Sequence, residues 1–402
     1  MHMFCKPFIA VLSATILFCS PGRAQEKIQE AFQGHIFRPA EEKPSDKFIA
    51  GLKLPNGFKV AKFADELEKP RMMAVAPNGD VYVTRRDPHN DVWLLRDTNN
   101  DGVADERKQV AQIKDVHGIV RDGKVYLAAT RELYVADVNA DGTLGAPKTL
   151  YTDFPDAGQH PNRTLAFNKQ GELFLSVGST CDACFEPNKE NATMLRVKTD
   201  GSGRSIVATG LRNTIGFDWH PTTGELWGMD HGIDWLGDDT QKEELNRIEE
   251  GKQYGWPFVF ENGRRNPADN PMEHLKVSWD EYAKQSQPPA LTYDAHSAPM
   301  ALLFYTGAQF PAEYRESAFV TFHGSWNRSK PSGYKVMRLK FKDGKPTAFE
   351  DFLTGFLINN NSAQFGRPVG LAIAKDGALL VSDDSGGVIY RIRSGAVSAE
   401  KK

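Results

Sequence analysis

The chain has 402 residues, 40% hydrophobic and 25% charged, which excludes a globally disordered protein. Its 49 Lys and Arg stand against 52 Asp and Glu, a formal net charge of −3, so no broad basic field is present to hold a nucleic-acid backbone. With 35 Gly and 23 Pro the composition suits many turns and short strands.

In chain order, residues 1–24 come first. His2 and Lys6 give a weakly basic start, Phe8 to Phe18 is apolar, and Gly22-Arg23-Ala24 ends in small residues. This is the pattern of a secretory signal cut after Ala24, which implies a periplasmic or secreted mature chain. A lipoprotein signal on Cys19 is the rival, but Phe18 is bulky where a small residue is wanted. No later apolar run reaches the roughly 18 residues of a membrane span. Residues 25–48 read as an N-terminal extension and 394–402 as a C-terminal tail, both flexible, around one domain at 49–393.

Within that domain one unit recurs: an apolar strand, a turn ending in Gly, and a second apolar strand. The copies turn at Gly79, Gly123, Gly171, Gly224 and Gly377. A degraded copy runs from Leu302-Leu-Phe-Tyr305 to Ala318-Phe-Val-Thr-Phe322. Asn-Gly and Asp-Gly between alternating apolar residues are strong hairpin signals. A repeat of roughly 40–50 residues built of hairpins predicts an all-β fold, a six-bladed β-propeller. The polar, Pro-rich stretch 250–290 reads as an insertion, though the gap around it is wide enough for a seventh blade. Phe58 to Phe63 has no hairpin partner; pairing with Val388 to Ile392 would close the ring and remove an open edge. Asp239 to Glu250 has helical composition, but Asn246-Arg-Ile248 reads equally well as a strand.

Two smaller signals stand apart. Asp97, Asn99 and Asp101 before Gly102 resemble the start of a Ca²⁺ loop, but no Glu stands at the twelfth position, and an Asx-rich turn fits as well. Cys181 and Cys184 are the only cysteines after residue 24. In an oxidising compartment a local, structural disulfide is expected, and Phe185 rather than His after the pair argues against covalent haem.

In a propeller the Gly turns occupy one face and the remaining inner loops the other. The slots on that second face hold Arg71, Arg85, Arg86, His117, His160, Arg212, Asn213, His231, His296, His323, Arg367, Asp383 and Asp384. Each histidine alone would read as a satisfied structural residue. Five of the ten on one face predict a polar, cationic mouth suited to an anionic ligand and general base chemistry.

The segments Gln159-His-Pro-Asn-Arg-Thr-Leu-Ala-Phe167, Gly210-Leu-Arg-Asn-Thr-Ile-Gly-Phe217, Asp230-His-Gly-Ile-Asp234 and Tyr254-Gly-Trp-Pro257 resemble the soluble glucose/sorbosone dehydrogenases, which use pyrroloquinoline quinone (PQQ). Phe322-His-Gly-Ser-Trp-Asn-Arg328 and Phe365-Gly-Arg-Pro-Val-Gly370 look more like the sorbosone/aldose branch. The resemblance covers roughly residues 50–393 and implies a six-bladed propeller. It implies His160 as the base that takes the C1-hydroxyl proton while hydride passes to PQQ. It implies Arg212, Asn213 and Arg367 as cofactor contacts, with His231, His323 and Arg328 beside them. The backbone carbonyls of Gly232 and Ile233 would hold Ca²⁺, and His117 and Gln159 would face the substrate. A quinone, cytochrome c or dye would take the electrons.

These residue types suit that chemistry. PQQ is a flat tricarboxylate, and guanidinium forks match carboxylates. Ca²⁺ takes oxygen ligands and polarises a carbonyl. A neutral His with a pKa near 7 abstracts protons at working pH. Gln159 replaces an acid of the glucose enzymes, and His323 and Arg328 replace a lysine, so glucose specificity is not implied. The alternatives are a calcium-dependent propeller lactonase or esterase, and a non-enzymatic binding propeller.

Overall fold

The computed structural model describes residues 34–395 apart from 157 and 268; the signal at 1–24 and most of the tail lie outside the described residues. The chain is mostly β with few helices.

Six sheets of at least four strands follow one another along the chain. The first runs Pro70–Val75, Val81–Arg85, Asp91–Arg96 and Glu106–Gln112, and the second Gly118–Asp122, Lys124–Ala128, Leu133–Ala136 and Lys148–Tyr151. The third holds Leu165–Phe167, Leu173–Val177, Thr193–Val197 and Arg204–Thr209, extended by Lys252–Gln253 in parallel. The fourth has Gly216–Trp219, Leu226–Asp230, Glu243–Ile248 and Leu291–Tyr293. The fifth has Pro299–Phe304, Ala318–Phe322, Lys335–Lys342 and Lys345–Leu353. In the sixth, Pro368–Ile373, Leu379–Asp383 and Val388–Ser394 are completed by Phe58–Ala64 from the other end of the domain, with Val60 opposite Ile392. The expected closing pair is therefore present.

Apolar residues join each sheet to the next. Tyr82 and Leu94 pack with Val125 and Leu127 between sheets one and two. Leu133 packs with Leu175, Phe174 with Phe217, Trp227 with Val320 and Phe319 with Val381 within the clusters at the next four junctions. Val81 and Val83 cluster with Leu380 and Ile389, which joins the sixth sheet back to the first. Burial of this kind, at about 25 cal/mol per Å² of apolar surface, is the main favourable term holding such sheets together. The first strands approach so closely that two glycines are obligatory. A Cβ on Gly370 would lie 2.2 Å from the Arg71 carbonyl, and one on Gly118 would lie 2.5 Å from that of Arg163.

Asp239 to Glu250 carries a strand, Glu243–Ile248, because its buried positions pack between neighbouring strands of the fourth sheet. The 250–290 stretch contains a two-stranded ladder of Val259–Phe260 with Arg264–Arg265 and the helices Pro271–His274 and Trp279–Gln285, and no four-stranded sheet among the described residues. The expectation of a flexible segment up to residue 48 fails for its described part. Ala40–Glu41 pairs in parallel with Ala363–Gln364, the Phe37 amide donates to the Trp326 carbonyl (3.0 Å), and Ser45 caps a helix at Asp46–Ala50.

Candidate functional site

The repeat geometry decides which residues meet. Gly79, Gly171, Gly224 and Gly377 turn with positive φ between strands. The histidines sit at the other strand ends: His117 just before Gly118–Asp122, His231 just after Leu226–Asp230, His323 just after Ala318–Phe322. Two buried clusters result.

In the first, Asp384 accepts hydrogen bonds from Arg71 and lies 2.7 Å from His323 Nε2. Burial alone would raise its carboxyl, but the hydrogen bond from His323 and the Arg71 charge hold it well below the usual range, while burial keeps His323 itself low, at about 4. Arg71 also reaches His117 Nε2 at 3.2 Å, and its buried Nε has no hydrogen-bond partner. Arg367 donates to the carbonyls of His323 (3.0 Å) and Gly324 (2.7 Å), and its guanidinium lies over the Tyr334 ring.

The second cluster holds His160, Arg212 and Asn213. Arg212 is 2% exposed and donates to the Asp182 carbonyl (2.9 Å), Asp182 Oδ1 (2.6 Å) and Asp234 Oδ2 (3.4 Å). The Arg212 and Asn213 amides both donate to the buried Asp230 carboxyl, which burial raises to about 6. Gln159 donates to Asp234 Oδ2 at 2.9 Å. Gly178 lies between His160 and Asn213: a Cβ there would come within 2.6 Å of His160 Cβ and 2.9 Å of Asn213 Oδ1.

Hydrogen bonds fix the histidine tautomers. His160 Nδ1 is 2.9 Å from both the carbonyl and the Oγ of Ser179. A carbonyl only accepts, so Nδ1 carries the proton and Nε2 keeps a lone pair. Burial first, and the Arg212 charge second, lower its pKa to about 2 rather than leaving it near 7. In His117 the Nδ1–H donates to the Arg163 carbonyl and Nε2 accepts from Arg71, so neither nitrogen is open. His296 is likewise spent on the Gly237 carbonyl and Asn327. His323 Nε2 is committed to Asp384. His231 donates from Nε2 to the Pro299 carbonyl, which leaves its Nδ1 lone pair. Of these five histidines, His160, His231 and His323 keep a lone pair with no partner among the described residues, on Nε2, Nδ1 and Nδ1 respectively.

Gly232 and Ile233 lie in a buried turn, where the Gly232 amide donates to Glu243 Oε2 (3.0 Å) and the Ile233 amide to Gln241 Oε1 (3.4 Å). Burial raises Glu243 to about 8. The structure does not bring Arg328 to the cluster: its donors go to Ala295, Lys330 and Asp239. Nor does it bring the Asp97 loop there. Asp97, Asn99 and Asp101 accept amides of their own turn and lie among residues of the Gly79 and Gly377 turns, on the opposite face. Cys181 and Cys184 form the expected disulfide, with Cα atoms 6.1 Å apart.

Beside the first cluster opens a cavity of about 680 Å³, lined by the cations Arg38, Lys69, Arg86 and Arg367, the carboxylates Glu41, Asp87 and Asp384, and Trp326 and Tyr334 among others. Arg38 of the N-terminal segment forms part of its wall and stacks over Trp326 at 5.4 Å. Arg86, which the sequence places at the mouth without a role, is the residue of most consequence among those not assigned one. Its half-buried guanidinium has no hydrogen bond or ion pair among the described residues. The neighbouring Arg85, in contrast, is spent on Asp91 at 2.9 and 2.7 Å. Strand alternation was the signal available: Arg85 ends Val81–Arg85 and Arg86 follows it at the mouth.

A mostly β protein of successive sheets, with arginines and histidines gathered at one set of strand ends, is the class these features define. The TrAA12-like family model matches residues 52–395, and the chain belongs to that family. It is 30% identical over 367 residues to an uncharacterized protein of Borreliella burgdorferi, covering 87% of this chain and 92% of that protein. It is 33% identical over 411 residues to a pyrroloquinoline quinone-dependent pyranose dehydrogenase of Coprinopsis cinerea, covering 85% of this chain but 54% of that protein. Among solved structures, a calcium structure of a Trichoderma reesei carbohydrate-active enzyme of family AA12 superposes with a TM-score of 0.74 at 20% identity, covering 85% of this chain and 97% of the other.

Proposed function

We propose that the protein is an exported PQQ-dependent sugar dehydrogenase that oxidises the C1 hydroxyl or aldehyde of an aldose or sorbosone-like sugar. The observation that carries this is the donor set of the mouth: Arg86 without a partner and Arg367 held only by carbonyls, on the same face as a neutral His160. The buried, partnerless Nε of Arg71 beside them adds a further donor in want of an acceptor. A tricarboxylate cofactor needs such donors. The family membership and the Coprinopsis relative's printed activity support the same cofactor. On this reading the six sheets are the six blades of a closed propeller, residues 1–24 are removed on export to the periplasm or medium, and 49–393 are the catalytic domain.

The chemistry a bound PQQ supplies is acceptance of hydride at its quinone. The protein does the rest. His160 Nε2 takes the C1-hydroxyl proton, and Ser179 keeps the ring in the tautomer that can do so. Burial lowers the cost of keeping that imidazole neutral and raises the cost of charging it. Arg86, Arg212 and Arg367 would hold cofactor carboxylates, and Asn213, aligned by Asp230, would contact the cofactor beside the base. Gly232 and Ile233 carbonyls would hold Ca²⁺, consistent with the calcium structure among the fold relatives. Gln159 would meet the sugar, His117, with both nitrogens committed, would act by holding Arg71 rather than by touching substrate, and a quinone, cytochrome c or dye would take the electrons. A calcium lactonase would need acidic side chains open to a channel metal, whereas Asp182, Asp230 and Asp234 are engaged with Arg212 and backbone amides.

The test is addition of PQQ and Ca²⁺ to purified protein, followed by absorbance spectra and sugar-dependent dye reduction. A saturable spectral change and sugar-dependent turnover are expected. No binding of PQQ, or lactone hydrolysis without it, would overturn the proposal.

A further inference from the structure

The disulfide lies inside the second cluster, not at its margin. The residue it encloses, Asp182, receives four hydrogen bonds. Its carbonyl accepts from Arg212 Nε (2.9 Å) and Trp256 Nε1 (3.1 Å), and its Oδ1 from Arg212 Nη2 (2.6 Å) and the Asp234 amide (2.8 Å). Both Asp182 acceptors are thus aimed at one buried guanidinium. The same loop reaches the base. Ser179 Oγ donates to the Cys181 carbonyl at 2.7 Å, and that hydroxyl and the Ser179 carbonyl are the two partners of His160 Nδ1. Cys181 and Ala183 pack against Ile233, the residue placed above beside a Ca²⁺ site.

We propose that Asp182, held in the Cys181–Cys184 loop, is a positioning residue for Arg212, and that the disulfide makes cofactor loading depend on the thiol redox state. This rests on the reading of Arg212 as a cofactor contact. A disulfide closing so short a loop adds little to global stability, because it removes little entropy from the unfolded chain. Its effect is local: it confines the Asp182 backbone, and both the carbonyl and the side chain of Asp182 depend on that backbone. Reduction by dithiothreitol breaks the S–S bond and delivers two electrons and two protons to give two thiols, while the reductant leaves as its cyclic disulfide. Asp182 keeps its charge and loses its constraint. Reduction therefore separates geometry from electrostatics, since deleting the carboxylate would also unmask the Arg212 charge toward an anion.

The experiment has two independent readouts on the intact protein. The first is modification of Arg212 by phenylglyoxal, followed by peptide mass spectrometry without PQQ. The second is PQQ affinity by spectral titration. The oxidised parent should protect Arg212. Reduced protein and the Cys181→Ala, Cys184→Ala double variant should expose it at least about tenfold more and bind PQQ about 10–100-fold more weakly, the scale of charge-assisted hydrogen bonds. Melting temperature should shift by only a few degrees. Asp182→Ala should resemble the reduced protein at Arg212. Asp182→Asn, which keeps both acceptors, should restore protection and bind PQQ no more weakly than the parent. Equal protection of Arg212 in oxidised and reduced protein would overturn the proposal. Newly exposed Arg212 with unchanged PQQ affinity would overturn the redox dependence of loading and remove Arg212 from the cofactor site, while leaving Asp182 as its positioning residue, which separates the two readings.

Discussion

Replacing His160 by Ala is the sharpest perturbation of the proposed chemistry. The ring is 8% exposed, and its Nδ1–H is committed to Ser179, so Nε2 is the one atom through which it can take a proton. Loss of a positioned general base slows its step by about 10²–10⁴-fold, or roughly 3–5 kcal/mol of barrier. Cofactor binding should persist, because Arg86 and Arg367 do not touch the ring in any hydrogen bond. Stopped-flow reduction of PQQ-loaded variant by sugar is the assay, with His231→Ala and His323→Ala beside it, since His231 and His323 each keep an Nδ1 lone pair. The pKa of about 2 adds a second check. A group lowered that far is already deprotonated throughout the mild pH range, so the reduction rate should show no acid limb near the ordinary histidine value of about 6.5. A parental rate in His160→Ala, with a stall in His231→Ala, would refute the assignment. An acid limb at about 6.5 that His160→Ala abolishes would refute the account of how burial sets the base.

Arg86→Ala should weaken PQQ binding by about tenfold or more without lowering the melting temperature, because Arg86 has no side-chain partner among the described residues to lose and its charge opposes that of Arg71; a lowered melting temperature with unchanged affinity would give Arg86 a structural role instead. Asp384→Asn should destabilise the fold by about 3–5 kcal/mol, read in denaturant titration, since it strips a buried carboxylate from Arg71 and His323; a loss under about 1 kcal/mol would contradict the pairing. Burial raises Glu243 and Glu244 to about 8 and Asp383 to about 7, so the folded state holds these protons more tightly than the unfolded state. Stability from these groups is present at acid pH and lost as pH rises through about 4–8; the buried histidines oppose this only below about 6.5, so melting temperature without added metal should fall from about pH 6.5 to 8.5; a steady rise across that range would contradict it.

The fold was largely legible because hairpin turns are local. Asn78-Gly79 and Asp376-Gly377 announce their strands, and Phe58 to Phe63, lacking a neighbour, announces the closing pair. The Asp239 to Glu250 strand was ambiguous because burial on two sides erases alternation: Glu243, Glu244 and Asn246 are buried polar residues satisfied by tertiary contacts. The N-terminal segment was misjudged for a related reason. Its polar composition hides the Phe37 and Ala40 anchors, whose amides donate to the distant Trp326 and Ser362 carbonyls. At the site, residue types were legible and their pairings were not. Arg86 and Arg212 look alike in sequence, and only the structure shows that Asp182 and Asp234 engage one and nothing engages the other.

That difference in pairing bears on how the mouth divides its labour. A buried cation flanked by carboxylates is fixed in place and partly neutralised, so it contributes geometry more than attraction. Arg212 and Arg71 are of this kind, each 2% exposed and each ion-paired. A cation held only by carbonyls, or by nothing, keeps its charge for a ligand. Arg367 and Arg86 are of that kind, and both line the open cavity. The ligand-free protein pays for those charges in mutual repulsion, and an anionic ligand relieves it. Ligand addition should therefore raise the melting temperature of the parent more than that of Arg86→Ala, even when both are saturated, because the variant has less repulsion to relieve. Equal shifts at saturation would show that the charge of Arg86 is screened by solvent and that attraction in this mouth comes from elsewhere.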